Sequence, residues 1–545
     1  MTLLPIVERE LRVAARQRLT FRLRFWVAFG AMVLWALNVM STRRDPPSQA
    51  AQEAFEILSY LALALALAAG VFLTADSLSE EKREGTLGLL FLTDLRGYDV
   101  VLGKLAVTSL QAVYGWLAVL PILALPLLMG GITIGEFWRM MLGLLVALFF
   151  SLAAGMAVSA VCREARLAMA GTAGVILLAL GILPALGELI ELGGGKPNLK
   201  VFYWPSAGYL AGHAGHAAYL RAPKEYWGAA GLQLALAVAA LAFAAVVLPR
   251  AWQEGAVAAG RWRLRWRRWR FGSPAVRRRR RARQLERNPY GWLAGRDRLV
   301  VWLMLLVAGV ALPCWCGFAG AAWRGKFPAT MNAFEGVTLT TFAVQLLWKF
   351  AVAEEATRRL SEDRASGALE LLLVTPLTPT AMLAGQRVVL RAQLGLGRWV
   401  IGAMLVAAAG MWLPIAARNQ IGDGHQYITM LVGNILFLTA DYAALVWTGL
   451  WVALHRRHHR ALLLTLVLVM APSWGLYLLL GFLGLYDGHT MLWNSAQRGV
   501  FIWILGTLVW DWALARWCRR RLNARFREAA AGLGSARTPQ GKAGT

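Results

Sequence analysis

Few residues in this sequence are placed to do covalent chemistry. Gly103-Lys104 looks like the end of a phosphate-binding loop, in which G-x-x-x-x-G-K-[ST] spacing lets backbone amides and a lysine cradle phosphates. Tyr98 stands where the first glycine is needed, and Leu105 follows the lysine. Gly195-Lys196 fails in the same way, being followed by Pro197. Cys314-Trp315-Cys316 offers a redox pair or half of a metal site, but small residues packed at a helix end account for it more simply. With Cys162 and Cys518 it builds no disulfide framework. His213 and His216 lie in a loop, and His455, His458 and His459 sit among arginines as a basic anchor. Neither group has the carboxylate or thiolate companions that support a metal. The sequence therefore argues against an enzyme.

The chemistry that remains is electrostatic docking. Ser79 to Leu105 reads SEEKREGTLGLLFLTDLRGYDVVLGKL, and it aligns without a gap on SEDRASGALELLLVTPLTPTAMLAGQR from Ser361 to Arg387. Ser79 meets Ser361, Glu80 meets Glu362, Gly85 meets Gly367, Thr93 meets Thr375 and Gly103 meets Gly385. Charge is kept in kind where Glu81 meets Asp363 and Lys82 meets Arg364. An ungapped match in the same flanking context marks a parallel duplication. In each copy a charged helix end is followed by a glycine and then leucines, including Leu87, Leu89, Leu90 and Leu92 in the first. That pattern predicts a helix leaving the membrane, a bend at the glycine, and a short apolar element along the surface. Thr93-Asp94 and Thr375-Pro376 end the element. A docking element and a simple re-entry hairpin both fit this pattern.

Something must hold these packets at a surface, and the composition says what. Of 545 residues, 58% are hydrophobic and 16% are charged, against about a quarter charged in soluble domains. Apolar runs such as Phe55–Ala75 and Trp227–Leu248 are long enough to cross a hydrocarbon core of ~30 Å. The sequence predicts an all-α polytopic membrane protein with about twelve transmembrane helices. They form two six-helix repeats, with short amphipathic cytoplasmic helices. The expected spans are 25–41, 55–77, 104–128, 137–160, 167–189 and 227–249, then 299–319, 335–355, 397–416, 428–453, 461–483 and 497–517. Counted this way, every Lys/Arg-rich segment falls on one side, so both termini are expected in the cytoplasm. Arg9, Arg12, Arg16, Arg18, Arg22 and Arg24 make the first segment too long and too basic for a cleavable signal peptide. The units are expected at 1–250 and 289–520, joined by a basic linker, 251–288, and followed by a disordered tail, 521–545.

The net charge of +27 raises the question of nucleic acid. From Arg261 to Arg298 the linker interleaves arginines with Trp262, Trp266 and Trp269, a composition that can stack on bases. Between two spans the same composition suits a membrane surface, with tryptophans in the interface and guanidiniums on anionic headgroups. Lipid is the expected partner, and nucleic-acid binding is the alternative.

Motifs of the form E-x-x-x-G-T-L-x-x-L-L-x-T-P-L, followed by a distal G-K, resemble the cytoplasmic segment of ABC-2 type permeases. These are the membrane subunits of ATP-binding-cassette exporters, with six spans per unit. Glu81, Gly85, Thr86, Leu87, Leu90, Thr93, Leu95, Gly103 and Lys104 carry the likeness in the first copy. Gly367, Leu369, Leu372, Leu373, Thr375, Pro376, Leu377 and Gly385 carry it in the second, with Asp363 in place of the glutamate. Glu8-Arg9-Glu10-Leu11-Arg12 resembles the family's amphipathic opening helix. The chain departs from the pattern at Phe91, Asp94, Ala368 and Gln386, the last standing where the lysine is expected.

The resemblance implies a permease that binds no cofactor of its own. ATP and magnesium sit on a separate ABC ATP-binding subunit, a dimer, in the inner membrane of a prokaryote. It also implies that two units are fused in one chain. Coupling to the ATPase then falls to Glu80, Glu81, Lys82, Gly85 and Thr86, and to Glu362, Asp363, Arg364 and Gly367. Intramembrane charge generally marks a substrate path. Glu136, Arg139, Lys349, Arg391 and Asp511 lie near predicted span ends, leaving Asp441, inside Ile435–Leu454, as the substrate-path candidate. An ATP-independent secondary transporter is the rival reading; the scarcity of central charge argues against it. The cargo is not legible in the sequence.

Overall fold

The computed structural model describes residues 46–92, 96–192, 198–251, 274–285, 288–295, 332–417, 424–456, 458–482 and 495–530, with scattered residues of 25–36 and 300–316. It divides into two units, Met1–Ala258 and Ala259–Thr545. Among the described residues, nine helices are long and apolar enough to cross a membrane. The expected spans 25–41 and 299–319 fall mostly outside the described residues.

In the first unit, Pro47 opens helix α1 (Pro47–Ala69) at a position where its missing N–H is not needed. The helix passes into a π-helical turn, Gly70–Thr74, in which Ala75 N–H donates to the Gly70 carbonyl. Two short surface helices follow, α2 (Ser77–Glu84) and α3 (Thr86–Phe91). Helix α4 (Gly97–Leu117) ends earlier than the expected span at 128. Pro121 and Pro126 break the continuation into the short helices Leu120–Leu123 and Leu125–Leu128. Helix α5 (Ile134–Val161) carries no charged side chain between Arg139 and its end, and 72% of its most apolar window is buried inside the protein. It is the axis of the unit: α1, α4, α6 (Ala165–Leu177) and α7 (Pro223–Ala251) all pack on it.

The segment between α6 and α7, expected as a loop bearing His213 and His216, is folded. It contains the short helices Leu199–Phe202, Ala207–Gly212 and His216–Arg221. Its anchors are polar groups on the long helices. Glu225 accepts from Trp204 Nε1 at 2.6 Å and from the Tyr209 hydroxyl at 3.2 Å, while Arg139 Nε donates to the Ala214 carbonyl at 3.0 Å. Burial and the neighbouring Glu225 carboxylate push the Tyr209 hydroxyl up to about 12.

The second unit opens with an arginine-rich helix α8 (Pro274–Leu285) and a short helix α9 (Pro289–Ala294) capped by Asn288. Helix α10 (Asn332–Ala365) contains the expected span 335–355 and continues unbroken to the surface. It is followed by α11 (Ala368–Val374) and α12 (Pro379–Ala417), which starts well before the expected residue 397. Gln386, Arg387 and Arg391 are therefore helical rather than part of a loop. Then come α13 (Gly424–Ala453), α14 (His458–Phe482) and α15 (Ser495–Ala530). The last runs on to residue 530 with a kink at Arg525, so 521–530 of the expected disordered tail is helical. Helix α13 plays the part of α5, packing against α10, α12, α14 and α15.

In the first unit α5 crosses the end of α1 closely. Ser151 Oγ donates to the Ala66 carbonyl at 2.6 Å, and the Thr74 hydroxyl donates to the carbonyls of Gly70 at 2.9 Å and Leu152 at 3.0 Å. A Cβ on Gly155 would overlap Thr74 Oγ1 and lie 2.5 Å from the Gly70 oxygen. Small residues at such a crossing let backbones approach closely. Gly155→Val is expected to cost about 1–3 kcal/mol, read as a lower thermal unfolding midpoint in detergent. Gly174→Ala, where an added Cβ meets nothing within 4 Å, should leave the midpoint unchanged.

Candidate functional site

The first charged packet folds onto the C-terminal end of α5. Backbone N–H groups of Leu78 and Ser79, at the start of α2, both donate to Ser159 Oγ at 3.0 Å. In return the Lys82 ammonium donates to the carbonyls of Ser159 at 3.2 Å, Cys162 at 3.4 Å and Ala160. Helix ends leave orphan N–H and C=O groups and carry opposite partial charges. Each helix here satisfies the other's end, one with a hydroxyl and one with a cation. Arg83 closes a bidentate pair with Asp76 at 2.7 and 2.9 Å, fixing α2 internally. Burial pushes the nearby Cys162 thiol up, which keeps it in its inert neutral form.

Gly85 ends α2 at φ +76°, and Gly367, between the end of α10 and the start of α11, has φ +74°. The two positions are equivalent in the sequence alignment and adopt the same left-handed conformation, which only glycine takes up readily. The Thr86 hydroxyl, just past the bend, donates to the Glu81 carboxylate, and Lys104 from α4 pairs with Glu81 at 2.7 Å. Glu81 thus faces inward and ties the surface helix to the following span.

The second packet meets the same need with different residues. Gln386 occupies the position of Lys104, and its Nε2 turns to the Ala356 carbonyl at 3.4 Å. The carboxylate equivalent to Glu81 is Asp363, which accepts from the Tyr290 hydroxyl of α9 at 3.1 Å. Two further bonds hold α9 in place. Arg359 Nη2 donates to the Ala294 carbonyl at 2.9 Å, and Asn288 Nδ2 donates to Ala381 at 2.7 Å. Burial pushes the Asp363 carboxyl up from the ordinary range, while the tyrosine hydrogen bond pulls it back. Burial, with Asp363 alongside, likewise raises Tyr290.

The structure thus sorts the predicted site residues. Glu80 and Gly85 are exposed, as is Glu362, which also holds Arg358 at 2.9 Å. Glu81, Lys82, Thr86 and Asp363 brace the packets from within, and Arg364 lies in the last turn of α10. Asp441 is far from both packets in sequence and pairs with Lys349 at 2.5 Å. The reading of the sequence missed the Glu355–Arg358–Glu362 chain, although i, i+3 and i, i+4 spacing signals it. It also missed Ser159, Tyr290 and the His458–Glu354 contact at 3.1 Å. Thr93, Asp94, Leu95, Cys314, the opening Glu8–Arg12 and linker residues 252–273 lie outside the described residues.

With the packets placed, comparison with known proteins adds the class. Residues 36–195 match a family model described as ABC-2 family transporter protein. The matched region contains the first packet and the described helices α1 to α6. A search of curated proteins returned no match. The match and the apolar helices support a multi-pass membrane protein that acts in transport, as the permease subunit of an ABC-type transporter.

Tyr290→Phe is expected to cost about 1–3 kcal/mol at neutral pH, because Asp363 loses its hydroxyl donor. The folded-state carboxyl is raised, so the cost is largest above that value. It should shrink as the pH falls through the raised range of that carboxyl, where protonation removes the charge. Adding Gln386→Lys restores the arrangement of the first unit and should recover most of the lost stability, measured by thermal unfolding in detergent.

Proposed function

We propose that this chain is the membrane subunit of an ABC exporter. A separate dimeric ATP-binding subunit docks on the packets at 79–105 and 361–387. The observation that carries the proposal is the family match across the first packet, together with the shared left-handed glycine bend of Gly85 and Gly367. ATP and magnesium belong to the partner, and this chain supplies contact surface and motion. It spans the inner membrane of a prokaryote about twelve times as two fused units, with both termini in the cytoplasm.

The docking faces combine charge with exposed apolar side chains. Glu80 and Leu92 mark the first, and Glu362, Leu371 and Val374 mark the second. Displacement of α2 acts on α5 through Lys82 and Ser159, so it reaches the helix against which the unit's other spans pack. Displacement of the second packet acts directly on α10, which runs unbroken from membrane to surface. The inward carboxylates Glu81 and Asp363 keep each packet stiff enough to transmit the push. Helix α8 carries the arginine-rich linker, and anionic lipid is its partner in this reading.

Glu80→Arg combined with Glu362→Gln, which keeps an oxygen acceptor for Arg358, should abolish copurification of a cassette ATPase with the tagged chain, while changing its thermal midpoint little. Retention of the ATPase by the double variant would refute the docking assignment. Failure of the unsubstituted chain to retain any ATPase would refute the exporter reading.

A further inference from the structure

The charged residues that serve neither packet nor surface collect at one place inside the second unit. Lys349 on α10, Asp441 on α13 and Asp511 on α15 converge there. Lys349 Nζ lies 2.5 Å from Asp441 Oδ2, and Asp511 is carried by α15, which packs along α13. Asp441 is 4% exposed and Asp511 is 0% exposed. All three fall within the expected spans 335–355, 428–453 and 497–517. The pairing is built into the helix register. Two turns along, Cys518 of α15 donates to Thr448 Oγ1 of α13 at 3.7 Å, with the same sequence separation as Asp441 and Asp511.

Two carboxylates against one ammonium leave one negative charge uncompensated. An uncompensated ion costs several kcal/mol even in a relaxed protein interior, and ionisable groups at membrane depth are expensive wherever they occur. Among the described residues, no side chain of a neighbouring helix hydrogen-bonds to either Asp511 oxygen. Arg391 and Arg398 on α12 act on Tyr442, with the Arg398 guanidinium 5.7 Å from its ring centroid. Glu354 and Glu355 on α10 are engaged with His458 and Arg358. Helix α14 has no charged residue between Ala461 and Phe482.

Polar groups in and beside the cluster point the same way. Both Asp511 carboxyl oxygens are buried without a hydrogen-bond partner among the described residues. Gln345, one turn from Lys349 on the same face of α10, is 2% exposed, and neither its amide nitrogen nor its oxygen has a partner. Buried polar groups without partners are rare in native proteins and call for a ligand, an ion or water. Among the described residues of the first unit, no such trio of buried charges occurs on the long helices α1, α5, α6 and α7. The buried polar side chains of its described helices α1, α5, α6 and α7 are Ser, Thr and Gln233.

The geometry points to a binding site for a single positive charge at Asp511, built with Asp441 and Gln345 and oriented by the Lys349 ion pair. The charge is a proton or the cationic nitrogen of a transported molecule. This site stands whether or not an ATPase docks on the packets.

The test uses the full chain alone in lipid nanodiscs, with no ATPase present, so failure of the docking proposal leaves it unaffected. Infrared difference spectra are recorded across about pH 5 to 9, where a perturbed carboxyl titrates. Methylammonium chloride is compared with sodium chloride at equal ionic strength. A protonated-carboxyl band is expected in the unsubstituted chain and should be lost in Asp511→Asn. Methylammonium should move its titration down by about one pH unit, a tenfold competition. A band insensitive to methylammonium supports the site and assigns the charge to the proton. Methylammonium binding that depends on Asp511, without a band, supports it and assigns the charge to the cation. If the unsubstituted chain shows neither a band nor methylammonium binding, the inference is overturned. That outcome is readable even if Asp511→Asn fails to fold.

Discussion

The Lys82 ammonium against the last carbonyls of α5 is the contact that joins the first unit's surface helix to its central helix. A helix end carries unsatisfied carbonyl groups and a partial negative charge, and α5 presents both to α2. Lys82 supplies the complementary charge, and Ser159 returns two acceptor interactions to the N–H groups of α2. The surface helix is thereby joined to the central helix of the bundle. Because α1, α4, α6 and α7 all pack on α5, a force applied at the surface has a short route into the spans.

The second unit braces its packet with different residues. Its inward carboxylate requires a donor, and where the lysine is replaced by Gln386 the donor comes from Tyr290 on a helix that precedes the spans. The substitution therefore changes what is mechanically connected. In the first unit the carboxylate ties the packet to α4, whereas in the second it ties the packet to α9 and so to the arginine-rich α8 beside it. Two copies of one motif have become two different linkages.

The interiors differ as well. The helices around α5 are held by hydroxyl-to-carbonyl bonds and close small-residue contacts, which pack without charge. Those around α13 enclose an ion pair with an extra carboxylate. Such a cluster destabilises a bundle unless it is matched.

Much of this protein was legible in its residues because the signals are local. Apolar run length marks a helix that crosses lipid, and the repeated packet with its glycine marks a bend, which Gly85 and Gly367 both make with positive φ. Span limits were less legible where prolines or continuing helices decide them, as at Pro121 and Pro126 and at the early start of α12. The roles of the charged residues were the least legible. Glu81 and Asp363 look like surface charges in the sequence, yet each is turned inward by a partner, Lys104 on the next span in one case and Tyr290 from an earlier helix in the other. Lys349 and Asp511, expected near span ends, meet Asp441 because three helices distant in the chain pack side by side. Sequence alone determined which segments are apolar, charged or bent, since those properties belong to neighbouring residues. Tertiary structure decided which charges are matched and which remain unmatched, since that depends on the register of helices far apart in the chain.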